Sequence, residues 1–293
     1  MKSGIELIRL IAVILIVFTH TRHEFEQGMA YFFIEQLPTY GTVILSIVSG
    51  YLYFSVSRKK NNLFKRKIKS LAIPYLIANI GVILLVLGAN YFLGYDTLNR
   101  LTYDYSIITE GVFALNHPPI DPPTYFIRDI FVIFLIIALV TEREFKTLII
   151  LVPLLVFGAL LLRWDIALLF AIGVLYAKYE TGINKRNMIV VLAVVTLIVA
   201  VYVFDYLKYP MALLFFVLLI DLRLPLRSTG RYSYLLHLYH APIIVITFPL
   251  INHYVENPLL KVISQIILAI VLVYVFFRLT KRYDFIKVLS GGR

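Results

Sequence analysis

An arginine and a histidine lie eleven residues apart in the first apolar stretch of the chain, at Arg9 and His20. In a helix, eleven residues make three turns plus roughly 20°, so both side chains lie on one face, about 16 Å apart along the axis. Arginine binds phosphate through paired hydrogen bonds, and histidine accepts a proton from a hydroxyl near neutral pH. Glu6, three residues before Arg9, can pair with it. The alternative for His20 is an interfacial histidine hydrogen-bonded to a neighbouring helix.

The composition predicts that these residues lie in a membrane. Of the 293 residues, 60% are hydrophobic and 15% are charged, whereas a soluble domain carries about a quarter charged residues. Long apolar runs favour helices over the alternating strands of a membrane barrel. We therefore expect an all-α, polytopic integral membrane protein of about ten transmembrane helices. The predicted spans are 5–22, 36–57, 70–93, 123–141, 147–162, 165–180, 187–205, 207–222, 232–251 and 258–279.

The distribution of basic residues predicts the orientation of the chain. With the N-terminus in the cytoplasm, 22 of the 28 Lys and Arg residues fall on the cytoplasmic side of the predicted spans. This bias is typical of membrane proteins, and it places both termini in the cytoplasm. It also accounts for the net charge of +11 without a nucleic-acid partner. The segment 58–69 is more basic than topology requires, and either anionic lipid or a phosphate-rich cytoplasmic ligand explains it.

Two kinds of site are not expected. The chain has no cysteine, so it has no disulfide, no thiolate nucleophile and no cysteine-based metal site. Its six histidines lack the paired spacing with carboxylates that zinc requires, so we expect no metal.

Further motifs follow in order along the chain. The second span ends in Ser49-Gly50-Tyr51, ahead of the basic residues Arg66 and Lys69. The fourth span opens with Tyr125, Arg128 and Asp129, for which an ion pair between helices is the alternative to a binding role. Near the ninth span lies a run that includes small, aromatic and imidazole side chains: Gly230, Ser233, Tyr234, His237, Leu238, His240 and Pro242.

Taken in this order, the motifs resemble those of the acyltransferase-3 family of bacterial integral-membrane O-acyltransferases. The family pairs an arginine with a histidine in its first helix, ends its second helix in Ser-Gly-aromatic, and carries a basic pair and a Ser-Tyr…His-x-Pro segment. Three positions depart from the pattern. Lys69 stands where arginine is usual. His237 stands where tyrosine is usual, and Tyr125 stands where tryptophan is common.

The resemblance implies a single transmembrane acyltransferase domain over residues 1–293, in the plasma membrane of a bacterium. It would move an acyl group from cytoplasmic acyl-CoA, with acetyl-CoA as the expected donor, to a sugar hydroxyl of a cell-envelope glycan or lipid-linked precursor. His20 would be the catalytic base. The acyl-CoA site would comprise Arg9, Ser49, Gly50, Tyr51, Arg66 and Lys69. The residues that bind the acceptor or orient the site would be Tyr125, Arg128, Asp129 and His240.

Two other functions are compatible with the residues alone. The first is a transporter or exporter of a glycan or its precursor, in which Arg9, His20 and Asp129 form a substrate or proton path. The second is a non-enzymatic membrane scaffold. The enzyme is favoured because the clearest intramembrane group of ionisable residues lies in one helix beside a basic segment, whereas transporters usually distribute such residues over several broken helices.

Overall fold

The computed structural model describes residues 3–94, 98, 101–140, 153, 155–225 and 229–291, and all regular structure in these ranges is helical. The main helices are α1 (Ser3–Phe18), α2 (Gly28–Ser57), α3 (Leu63–Leu93), α4 (Tyr125–Val140), α5 (Asp165–Tyr179), α6 (Lys185–Tyr202), α7 (Lys208–Leu219), α8 (Gly230–Tyr254) and α9 (Pro258–Arg282). Within the described ranges, α2, α3, α6, α8 and α9 are long and apolar enough to cross a membrane. The all-helical class is confirmed, while the ten-span count and the cytoplasmic termini remain predictions.

Several helix boundaries differ from the predicted spans. Helix α3 begins at Leu63 rather than at residue 70, because lysine and arginine favour helix and their charged ends reach water while their stems cover apolar surface. Helix α1 ends at Phe18, and His20 follows in a tight turn in which its N–H donates to the carbonyl of Val17 at 3.2 Å. Of the predicted span 147–162, residues 147–152 and 154 lie outside the described residues.

Helices α1 and α8 run side by side in the same direction. The Glu6 carboxylate accepts the N–H of Thr229 at 2.8 Å and its hydroxyl at 2.9 Å. The Arg9 guanidinium donates to the carbonyl of Gly230 at 3.3 Å. Farther along both helices, the rings of His20 and His240 are 5.3 Å apart. Arg9 and His20 are eleven residues apart in the chain, and their partners Gly230 and His240 are ten residues apart. The first segment and α8 are therefore parallel and in register.

The bundle therefore has two distinct ends. The Arg9 end also holds the last turn of α9, because Arg231 donates to the carbonyl of Thr280 and to Ser290, both at 3.0 Å. The Arg22 end is the opposite one, where Gln265 near the start of α9 bonds to both backbone groups of Arg22. The described beginning and end of the chain thus lie at the same end of the bundle.

Helices α2 and α5 cross at two glycines. A Cβ on Gly50 would lie 1.9 Å from the carbonyl oxygen of Phe170, and one on Gly173 would lie 2.0 Å from that of Ile47. Helices in lipid associate through van der Waals packing, which small residues permit by letting backbones approach closely. The glycine of the Ser-Gly-aromatic motif is thus required at this crossing.

Substituting Gly50→Ala should therefore destabilise the protein by about 3 kcal/mol, the upper end of the usual cost of overpacking, because the opposing atoms are backbone. The measurement is the thermal unfolding of the purified protein in nanodiscs. Gly88→Ala on α3 is the matched control, since a Cβ there meets nothing within 4 Å. Equal melting temperatures for the two variants would show that the crossing is looser than described.

Candidate active site

Two cavities lie towards opposite ends of the bundle. The Arg9 cavity has a volume of about 270 Å³, and its polar lining consists of Arg9, Ser49, Tyr53, Ser57, Lys67, Ser233, Tyr234 and His237. The Asp121 cavity has a volume of about 330 Å³, and among apolar residues of α3 and α8 its lining contains two charged side chains, Arg22 and Asp121. Both cavities have many apolar lining residues, but the Arg9 cavity also contains two cations, Arg9 and Lys67, and several hydroxyl groups.

Imidazole rings lie along the helix that both cavities share. His237 lines the Arg9 cavity, and Ala241 and Pro242, one helical turn later, line the Asp121 cavity. Between them lies His240, whose ring is 6.4 Å from that of His237 and 5.3 Å from that of His20. His20, His237 and His240 thus form a histidine cluster. It lies at the point where the residues of α8 that line the two cavities are one helical turn apart.

The hydrogen bonding of His240 determines where its lone pair lies. Its Nδ1 is 2.7 Å from the carbonyl oxygen of Leu236. Since a carbonyl only accepts, Nδ1 must carry the hydrogen, and the neutral ring then has its lone pair on Nε2. That nitrogen is buried, and no described residue hydrogen-bonds to it. His240 is therefore held in the tautomer whose Nε2 can accept a proton.

Arg9 and His20 are connected through α8 rather than by a single cavity. Arg9 lines the Arg9 cavity, whereas His20 is not among its lining residues and contacts His240 instead. His237 and His240 are buried, at 3% and 0% exposure, while His20 is partly exposed. The sequence predicts a direct relation between Arg9 and His20. In the structure, His237 and His240 of α8 lie between them.

The predicted basic pair does not line the Arg9 cavity. Arg66 and Lys69 are exposed on α3, while the neighbouring Lys67 lines the cavity with its ammonium 3.6 Å from the centre of the Phe134 ring. Successive helical residues differ by about 100° in direction, so Lys67 points away from the face shared by the other two. Sequence reasoning missed Lys67, although the helical spacing of this segment distinguishes it from its neighbours.

The Ser-Gly-aromatic motif is divided between the cavity and the helix packing. Ser49 lines the Arg9 cavity. Gly50 lies in the crossing of α2 with α5. The Tyr51 hydroxyl donates to Glu180 at 3.0 Å, and its ring packs against Tyr176 and Phe216. Of these three residues, Ser49 is the one placed to touch a ligand in the cavity.

Two π-helical turns lie where α2 and α3 reach the Arg9 cavity, at Tyr53–Ser57 and Ile68–Ala72. Such turns insert one extra residue into a helix and redirect the side chains, and they are frequent at functional sites. Tyr53, Ser57 and Leu71 from these turns line the cavity. The turns therefore help to shape this wall of the site.

The polar residues at the start of α4 hold the segment before α5. The Asp129 carboxylate accepts from the guanidinium of Arg128 at 2.8 Å and from the backbone N–H groups of Leu162 and Arg163 at 3.1 and 3.0 Å. The Tyr125 hydroxyl accepts from the Arg163 side chain at 3.1 Å, and that side chain also pairs with Asp165. These contacts correspond to the ion-pair alternative, and a role in binding the acceptor remains a prediction.

Carboxylates also organise the exposed part of the segment that leads from α3 to α4. Glu110 accepts from the backbone and side chain of Asn116, at 3.0 and 2.8 Å, and from the N–H of His117 at 2.9 Å. These hydrogen bonds, the backbone one from Asn116 foremost, lower the pKa of the Glu110 carboxyl. The carboxylate is therefore ionised near neutral pH and holds the turn that precedes Asp121.

The fold and the site define a helical membrane protein with an internal histidine cluster between two cavities. The model of a protein family described as an acyltransferase domain, Acyl_transf_3, matches residues 2–278. The chain therefore belongs to the acyltransferase-3 family, as the motifs predicted, and is a membrane acyltransferase. No curated protein and no solved structure matches it. Among the described residues, no group of three His, Asp or Glu side chains is arranged to hold a metal ion.

Replacing Asp129→Asn should lower the free energy of unfolding by about 2–4 kcal/mol, because the amide keeps one acceptor oxygen and leaves the Arg128 charge poorly paired. Thermal unfolding in nanodiscs measures the effect, with Asp205→Asn as an exposed control. An unchanged melting temperature combined with lost acyltransferase activity would instead assign Asp129 to the acceptor.

Proposed function

We propose that this membrane acyltransferase is an O-acyltransferase that takes an acetyl group from cytoplasmic acetyl-CoA and transfers it to a sugar hydroxyl of a cell-envelope glycan or its lipid-linked precursor. The observation that carries the proposal is the histidine cluster, which lies where the Arg9 cavity and the Asp121 cavity come within one helical turn. Membership of an acyltransferase family favours this function over the transport that the ionisable residues alone would allow. The expected location is the bacterial plasma membrane.

The Arg9 end suits the donor. The phosphates of coenzyme A cannot enter lipid unpaired, and Arg9, Arg66, Lys67 and Lys69 supply cations at this end of the bundle. The Arg9 cavity, at about 270 Å³, is smaller than the cavities that enclose drug-sized ligands. We therefore place the nucleotide at the exposed cations and only the thin pantetheine arm with its thioester inside, beside Ser49 and His237.

The histidine cluster then supplies acid–base chemistry. His20 takes the proton of the acceptor hydroxyl as its oxygen attacks the thioester carbonyl, and the carbon–sulfur bond breaks as the carbon–oxygen bond forms. The proton passes to the departing sulfur, which leaves as the thiol of coenzyme A. The lone pair on Nε2 of His240 lies in the same cluster and provides a second position for the proton. Transfer is direct, with no acyl-enzyme intermediate.

Removing the His20 ring should lower acetyl transfer by at least about 100-fold, the usual contribution of a general base, and leave acetyl-CoA binding within about twofold. Purified His20→Ala in nanodiscs is assayed by calorimetry for binding and by release of free thiol for turnover. His253→Ala is the control, because that ring is exposed at the Arg22 end. Turnover in His20→Ala equal to that of the parent protein would refute the assignment of the base.

A methyl group at Gly230 tests whether the Arg9 guanidinium binds the donor. A Cβ at this position would lie 2.7 Å from Nη1 of Arg9, a mobile end that can move aside, so Gly230→Ala should displace the guanidinium with little change in melting temperature. Losing one charge-assisted hydrogen bond weakens acetyl-CoA binding by about tenfold or more. Titration calorimetry measures this, with Gly88→Ala as the control. Parent-like affinity would remove Arg9 from the donor site.

A further inference from the structure

The backbone of Asp121 is fixed by buried hydrogen bonds. Its N–H donates to the side-chain oxygen of Asn79 at 3.2 Å, and its carbonyl accepts the hydroxyl of Thr124 at 2.7 Å and the N–H of the same residue at 3.1 Å. The side chain of Asn79 donates in turn to the Thr124 hydroxyl at 3.0 Å. Asn79 and Thr124 are fully buried. The position of Asp121 in the wall of the cavity is thus preorganised.

The Asp121 carboxyl itself is left without a partner. It is 2% exposed, and no described residue hydrogen-bonds to either of its oxygens. Burial raises the pKa of this carboxyl well above its usual value. Burying a polar group unpaired costs free energy, and natural proteins tolerate that cost mainly at functional sites. Asp121 is one of the residues that line the Asp121 cavity, so a molecule bound there is the candidate partner for this carboxyl.

The apolar walls of this cavity continue onto the lipid-facing surface. On α3, Leu85 is 58% exposed, and on α8 Val245 and Ile246 are 48% and 62% exposed. All three line the cavity. These helices are among those long enough to cross a membrane, so side chains exposed on them face hydrocarbon. A molecule in the cavity can therefore extend an apolar chain sideways into the bilayer between α3 and α8.

Arg22 also lines this cavity. Arg22 is exposed, its guanidinium carbon is 5.3 Å from the centre of the Phe248 ring, and its backbone is held on both sides by Gln265. Arginine presents a planar set of donors that suits phosphate. The cavity thus combines an unpartnered carboxyl, an exposed guanidinium and apolar walls that reach the lipid-facing surface.

We infer that the Asp121 cavity binds the acceptor as a sugar joined through a phosphate to a lipid tail. Asp121 hydrogen-bonds the sugar hydroxyls, Arg22 binds the phosphate, and the walls from α3 and α8 hold the start of the tail. This inference rests on the proposed acyl transfer and narrows its acceptor from envelope glycans in general to the lipid-linked form. A polymer without a tail would leave the apolar exit unused.

The test compares the parent chain with Asp121→Asn, Arg22→Gln and the exposed control Asp205→Asn, each produced in the native host with its own copy deleted. Lipid extracts and lipid-free glycans are analysed by mass spectrometry for added acetyl groups. Each purified variant is also assayed for acetyl-CoA binding and thermal unfolding. We expect Asp121→Asn and Arg22→Gln to lower acetylated lipid-linked sugar at least tenfold, with acetyl-CoA binding within twofold and, for Asp121→Asn, an equal or higher melting temperature.

Several results would overturn the inference. Parent-like acetylation by Asp121→Asn would do so, as would a lower melting temperature with lost donor binding, which would make Asp121 structural. Acetyl groups confined to lipid-free glycan or to phosphoglycerol lipids would exclude the lipid-linked sugar while leaving acyl transfer intact. Failure of the parent chain to bind acetyl-CoA would instead refute the proposed function, so the two failures are distinguishable.

Discussion

The register between α1 and α8 is the constraint on which the site depends. At one end Glu6 and Arg9 bond to Thr229 and Gly230, and the absence of a side chain at Gly230 lets the guanidinium lie against the helix start. Both segments then continue for ten or eleven residues and cover nearly the same distance along the helix axis, which brings the His20 ring against that of His240. A shift of one residue would rotate either ring by about 100° and disperse the histidine cluster.

The polar groups of the interior divide into two sets with different consequences. Around α4, Arg128, Asp129, Arg163 and Asp165 bond to one another and to backbone groups, so their charges are compensated within the protein. By contrast, Nε2 of His240, which lies between the two cavities, and both oxygens of Asp121 have no described partner. In a medium without water such groups are costly, and that cost is recovered when a ligand pairs with them. The first set holds helices together, and we propose that the second marks where substrates bind.

Much of the helical plan and the order of the motifs could be predicted from the sequence, because apolar runs and motif spacing are properties of the chain alone. Which face of an apolar helix meets a neighbour could not, since nearly every face is hydrophobic. For this reason the sequence could not show that Gly50 and Tyr51 pack against α5, or that Lys67 lines the Arg9 cavity while Arg66 and Lys69 are exposed. Asp121 gave no signal in the sequence, because its significance comes from burial without a partner.

The most direct test of the central claim is a structure of the protein in nanodiscs with acetyl-CoA bound. We predict the nucleotide phosphates at the Arg9 end, the pantetheine arm in the Arg9 cavity past Ser49 and Lys67, and the thioester carbonyl beside His237 within reach of the histidine cluster. A thioester located in the Asp121 cavity, or a coenzyme A bound at Arg66 and Lys69 with its arm outside the Arg9 cavity, would contradict this arrangement.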